Sequence, residues 1–196
     1  MFTGPNVRVD DGLLSPELRQ RLIDCVSWMP LYFLNRFERF KSHELDTLWY
    51  YPLAFTDEGY TADVEPALYD LDASLAPVRE CWEQLKTAFA RPVRLYECML
   101  SANAFGNEGR VHQDISDEAR REKHYTALVY VNREWKAEWA GETVFFDADN
   151  EISGAVLPRP GRVVIAARDA PHAGRSVSRI CPTDRRVLVF KFWDVS

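Results

Sequence analysis

The chain has 196 residues, 46% of them hydrophobic and 28% charged, with a formal net charge of −6, the make-up of one soluble globular domain large enough for a real core. The negative balance argues against a nucleic-acid partner, because such partners are gripped by clustered Lys and Arg. No apolar run reaches the length of a membrane span, and Met1 to Pro5 carries neither a basic nor an apolar signal region, so no membrane partner and a cytoplasmic location are expected.

Val7 to Val9 reads as a short strand. Ser15 and Pro16 then start a helix, with Ser as N-cap and Pro at its first position. Leu18, Leu22, Cys25 and Val26 keep helical spacing until Pro30 stops it, which predicts an amphipathic helix of about four turns. The aromatic runs Leu31 to Leu34 and Leu48 to Tyr51 fit either strands or buried loops, and large rings of this kind are expected in the core. From Val64 to Phe89 the apolar spacing is helical, and Pro77 forces a break, which predicts two helical pieces bracing one face of a sheet.

The pattern changes at Arg91 and Pro92. Residues 93–104, 123–132, 141–147, 162–167, 175–180 and 185–193 are rich in β-branched and aromatic side chains, with Gly or Pro in most of the gaps, and read as strands. Without repeats or a low-complexity linker, the expectation is a single domain over 1–196. It divides into a helical support region with aromatic loops over 1–90 and a β core over 91–196. Cys25, Cys81, Cys98 and Cys181 form no C-x-x-C pair, so they are read as reduced and mostly buried thiols.

The chemistry centres on His112-Gln113-Asp114 and on Pro171-His172. Two imidazoles and one carboxylate are the donor set of the facial triad that holds non-haem iron(II) with positions left open. On an extended backbone His112 and Asp114 point the same way, and His172 then has to arrive from the strand pair opposite. His43 and His124 are read as ordinary core or surface histidines.

Together with Tyr125 to Asn132, Glu134-Trp135, Gly141-Glu142-Thr143, Gly161 to Ile165 and Arg186 to Phe190, these segments resemble the iron(II)- and 2-oxoglutarate-dependent oxygenases. Within them the likeness is to the prolyl-4-hydroxylase-like branch that includes the enzymes acting on hypoxia-inducible factor, and it runs from about Tyr96 to Trp193. The resemblance implies an α+β, mainly β fold, a double-stranded β-helix or jelly-roll barrel with N-terminal supporting helices. It implies His112, Asp114 and His172 as iron ligands, and iron(II), 2-oxoglutarate and dioxygen as cofactors, with ascorbate compatible as a reductant. It also implies Arg186 as the guanidinium that grips the distal carboxylate of 2-oxoglutarate, helped by Tyr130.

The spacing from His172 to Arg186 is longer than in close relatives, which leaves Arg185 and Arg179 as alternatives. Strand alternation lets only one of Arg185 and Arg186 face inward. Asp114 stands where halogenating relatives carry a small residue, which implies hydroxylation or another oxidation without halide, and hydroxylation of an unactivated C–H is the expected reaction. The expected substrate is a small molecule such as an amino acid, sugar or carrier-bound metabolite, with a residue in a protein as the alternative. Tyr50, Tyr51, Arg110, Glu142 and Arg175, together with Trp49, are candidate substrate contacts. Two other classes stay open: a cupin-like divalent-metal protein with non-redox chemistry, and a metal-free β-sandwich binding module.

Overall fold

The computed structural model describes residues 6–35, 47–56, 62–114, 124–167 and 170–195. His43 lies outside these residues. Among the described residues, ten strands form two antiparallel sheets. The larger sheet has the order β1-β8-β5-β10-β4-β3-β2, and the smaller the order β7-β6-β9. The strands are β1 (Val7–Asp10), β2 (Tyr32–Asn35), β3 (Thr47–Ala54), β4 (Val93–Asn103), β5 (His124–Tyr130), β6 (Thr143–Phe146), β7 (Ile152–Val156), β8 (Val163–Ala167), β9 (His172–Gly174) and β10 (Arg185–Asp194). Three strands of the larger sheet come from ahead of residue 90, so the amino-terminal part supplies sheet as well as helices.

Helix α1 (Pro16–Ser27) begins as its sequence predicts: the Ser15 hydroxyl accepts from Leu18 N at 3.2 Å, and Pro16 sits in the first turn. Its buried face is Leu18, Leu22, Ile23, Cys25 and Val26. Pro77 does not kink a longer helix. It lies in the first turn of α3 (Ala76–Lys86), after the short α2 (Glu65–Tyr69), where its missing N–H has no helical partner to lose. Trp82 of α3 is fully buried against β10, its ring centroid 5.9 Å from Phe190 and 5.3 Å from Phe192.

Strand β10 divides the molecule into two packed layers. Leu188, Phe190 and Phe192 face the helices in one core, whereas Val187 and Val189 join Leu128, Tyr130, Phe145 and Val156 in a second core between the two sheets. This alternation is the period of an extended strand. The two antiparallel sheets sharing an inner core fit a jelly-roll-like, mainly β architecture.

Two expectations are corrected. Residues 175–180 are not a strand: the ladder with β6 lies upstream in β9, and beyond Gly174 it continues only as separate backbone contacts, Arg175 N to Glu142 O, an isolated bridge of Val177 with Ala140, and Ser178 N to Trp139 O. The amino-terminal aromatic runs do form strands β2 and β3, but Tyr32 is 57% and Phe33 52% exposed, because β2 is the edge of the sheet.

Candidate metal and co-substrate site

His112 and His172 are antiparallel bridge partners, each backbone N–H donating to the other's carbonyl at 3.0 Å. The second imidazole therefore comes from the neighbouring chain segment, not from strands opposite, as the spacing had suggested. Their rings lie 4.6 Å apart between centroids. Asp114, two residues on, completes a group whose ligand atoms all fall within 4.8 Å of one another.

The tautomers follow from the backbone. The Nδ1 of His112 meets Arg110 O at 2.8 Å, and the Nδ1 of His172 meets Ala170 O at 3.0 Å. A carbonyl only accepts, so both Nδ1 atoms carry hydrogen and both Nε2 lone pairs are left free. Those Nε2 atoms stand 3.8 and 3.7 Å from the two oxygens of Asp114. Two neutral imidazole nitrogens and a carboxylate, oriented by backbone acceptors, suit a first-row divalent metal such as iron(II).

Asp114 is itself held on both oxygens. Lys191 Nζ lies 3.0 Å from Oδ1, and the Thr126 hydroxyl donates to Oδ2 at 2.7 Å. Burial alone would raise this carboxyl's pKa. The positive charge of Lys191, with the Thr126 hydrogen bond, instead keeps it well below the usual carboxylate range. Burial lowers the pKa of His172, which keeps it neutral and ready to ligate. A cavity beside Asp114 and His172 is lined by Tyr96, His124, Tyr125, Thr126 and Ala166 among others.

A second polar group lies on the same inner face. Arg185, 4% exposed, donates through Nη2 to Thr143 Oγ1 at 2.6 Å and through Nη1 to Asn103 Oδ1 at 3.1 Å. The Tyr130 hydroxyl meets the same Thr143 oxygen at 2.7 Å, and the guanidinium lies over the Tyr130 ring. Gly141, at φ +76°, turns the chain into β6 here, and a Cβ on it would come within 3.2 Å of Arg185 Cδ. Among the described residues no carboxylate pairs with Arg185, and its buried Nε has no hydrogen-bond partner. A buried cation with only neutral partners is costly, so this pocket suits an incoming carboxylate.

Arg186 is turned the other way. Its Nη1 donates to the carbonyls of Val26 and Ser27 at 3.0 and 3.2 Å, and its Nε to Asp184, at the end of α1 on the helix side of the sheet. The expectation that Arg186 serves the inner site is thus corrected in favour of its neighbour, by strand alternation alone. Arg179 lies in the loop ahead of β10. Tyr51 packs against the helix-side core and does not reach the site. Tyr50 pairs across to Ser101, in register with the inward positions of β4. Arg110 contributes its carbonyl to His112, and Glu142 its carbonyl to Arg175 N. Sequence reading passed over Lys191, although a lone lysine in phase with Arg185, Val187 and Val189 within an apolar strand was the available signal.

A mainly β scaffold with a two-histidine, one-carboxylate cluster that could hold a metal, and a buried arginine with no carboxylate partner among the described residues, suits a non-haem metal protein that takes an acidic co-substrate. Residues 98–193 match the family model described as the 2OG-Fe(II) oxygenase superfamily. The chain carries a domain of that superfamily and is a 2-oxoglutarate-dependent dioxygenase, with iron(II), 2-oxoglutarate and dioxygen as its cofactors.

Among solved structures, a prolyl-4-hydroxylase of Pseudomonas putida is 17% identical with a TM-score of 0.65, the match covering 96% of this chain and 92% of that one. A prolyl hydroxylase of Trichoplax adhaerens, in complex with a hypoxia-inducible-factor peptide, is 12% identical with a TM-score of 0.67, over 96% and 84%. HygX of Streptomyces hygroscopicus, with nickel and 2-oxoglutarate bound, is 12% identical with a TM-score of 0.59, over 97% and 83%. At these identities the likeness concerns the fold. No curated protein matches the chain. Among the described residues no helix is long and apolar enough to cross a membrane.

Proposed function

We propose that His112, Asp114 and His172 hold iron(II), that Arg185 with Tyr130 and Thr143 receives the distal carboxylate of 2-oxoglutarate, and that the enzyme hydroxylates an unactivated C–H. The observation that carries this reading is the pairing of two preset imidazoles with a buried arginine that meets no carboxylate among the described residues, both on one inner face. When bound, the iron and its co-substrate supply the oxidising chemistry, coupled to decarboxylation of 2-oxoglutarate to succinate. The chain's own part is to orient. The carbonyls of Arg110 and Ala170 fix the ring tautomers, Thr126 and Lys191 fix the carboxylate, and Arg185 fixes the acid by a planar, two-pronged match.

A small molecule is the favoured substrate, and the cavity beside Asp114 and His172, lined by Tyr96, His124 and Thr126 among others, is where part of it would sit. Tyr50, Arg110, Glu142 and Arg175 remain candidate contacts around it. A residue in a protein is the second reading. It is favoured by the exposed aromatic edge of Tyr32, Phe33 and Trp49, onto which an extended peptide could pair. The prolyl-4-hydroxylase-like branch is the placement that suits both. Succinate release, followed over free amino acids, other metabolites and proline-containing peptides, tests the reading. Turnover stimulated by one class supports that substrate, and no succinate with any of them, in iron-loaded protein, refutes it.

A further inference from the structure

Strands β4, β10 and β5 lie side by side, and in their register Lys191 is opposite Glu97 on one side and Thr126 on the other. The three side chains thus form one cross-strand row on the inner face. Lys191 Nζ reaches Asp114 at 3.0 Å and Glu97 at 3.8 Å, with the Lys191 and Glu97 side chains each only 12% exposed. Thr126, from the same row, holds the other oxygen of Asp114. Nothing in the oxygenase reading requires a lysine here, and a buried ammonium beside a metal-ligand carboxylate works against a second cation.

We propose that Lys191 is a positioning residue for the metal centre: with Thr126 it fixes the Asp114 carboxylate between the two imidazoles, and its charge, shared with Glu97, sets how tightly a divalent cation is held. This rests on His112, Asp114 and His172 being the metal ligands. The physical reason is charge balance. Without metal, the buried Asp114 carboxylate needs a cation, and Lys191 supplies it through a short contact. Once a divalent ion meets that need, Lys191 becomes a repulsive neighbour, which Glu97 partly offsets. The orientation of Asp114 survives loss of the lysine in the loaded state, since Thr126 and the ion both hold the carboxylate.

The pair therefore has effects of opposite sign. Cobalt(II), added to chelator-stripped protein and followed by its visible absorption and by thermal melting, is the probe. Lys191→Met is expected to bind cobalt on the order of tenfold more tightly, the scale of one unit charge a few ångström from a divalent ion in a partly screened site. Its metal-free form melts lower than wild type, so the rise in melting temperature on adding cobalt is larger. Lys191→Arg, which keeps the charge, returns both readouts toward wild type. Glu97→Gln is expected to bind cobalt about fivefold more weakly, because one compensating negative charge is gone.

A lysine that serves only packing would lower both melting temperatures alike and leave cobalt affinity unchanged, and that outcome overturns the proposal. Should Lys191→Met fail to fold without metal, Glu97→Gln decides, and unchanged or tighter binding there overturns it. Wild-type protein that binds no cobalt would refute the triad itself and this inference with it. Binding that is lost in His172→Ala but indifferent to both charge variants would refute this inference alone.

Discussion

Arg185 and Arg186 are consecutive on β10, yet their guanidinium groups lie on opposite sides of the sheet. Arg185 is buried against Thr143 and Asn103 on the inner face, and Arg186 closes the end of α1 through the carbonyls of Val26 and Ser27. One position of register thus separates the proposed co-substrate ligand from a structural strap.

Exchange of these two arginines should separate the roles. Arg185→Met is expected to raise the 2-oxoglutarate concentration needed for half-saturation by roughly two orders of magnitude, the size of one or two charge-assisted hydrogen bonds in a buried site. Arg186→Met should leave that value near wild type and lower stability by about 1–2 kcal/mol, as the last carbonyls of α1 lose their donor. Saturation curves and denaturant melts read the two effects separately.

The histidine tautomers offer a second check. Because Nδ1 of each ring is committed to a backbone carbonyl, His172→Ala should abolish binding of a divalent metal, as should His112→Ala. Equilibrium dialysis with manganese(II) measures this without reference to turnover. Retention of full metal binding by either variant would remove that residue from the site.

Acid stability has a definite sign at one ion pair. Arg162 donates to both oxygens of Asp11 at 2.6 and 2.8 Å and holds that carboxyl below its ordinary 3.8. The pair's contribution is therefore fully present above pH 3.8 and is lost as pH falls through the lower folded value. Asp11→Asn should cost about 1 kcal/mol at neutral pH, after allowing for solvent screening of a partly exposed pair, and the difference from wild type should shrink in melts at the acid end.

Thiol reactivity should be uneven. Burial pushes Cys25 up to about 11 and Cys81 and Cys98 higher still, whereas Cys181 is partly exposed in the loop before β10. One thiol is expected to react with an alkylating reagent in the native protein and four after denaturation, counted by mass spectrometry. Rapid labelling of two or more in native protein would contradict the packing of α1 and α3 on the sheet.

Much of this arrangement is legible before any coordinates. The Ser15-Pro16 start of α1, the apolar runs of β4, β5 and β10 and the His112, Asp114 and His172 set each carry a local signal that tertiary packing does not override. What is not legible depends on register and partners. Periodicity permits an inward Arg185 or Arg186 equally, and only the pairing of Val187 with Tyr130 and Ser101 settles the phase. The segment at 175–180 has the composition of a strand but only an isolated bridge, Val177 with Ala140, while β7, with Ser153 and Gly154 in its middle, has a continuous partner and little composition to announce it. Asn103 and Lys191 come beside the cluster through the fold, since neither carries a motif, and Thr143, although within the Gly141-Glu142-Thr143 segment, meets Arg185 only through the packing of β6 on β10.

The most direct test of the central claim is anaerobic addition of iron(II) and then 2-oxoglutarate to metal-stripped protein, watching for the visible charge-transfer band of a keto acid chelated to iron. The band is expected in wild type and in Arg186→Met at similar 2-oxoglutarate concentrations, at far higher concentration in Arg185→Met, and not at all in His112→Ala. Iron binding without the band in wild type, or a band that depends on Arg186 and ignores Arg185, would contradict the site described above.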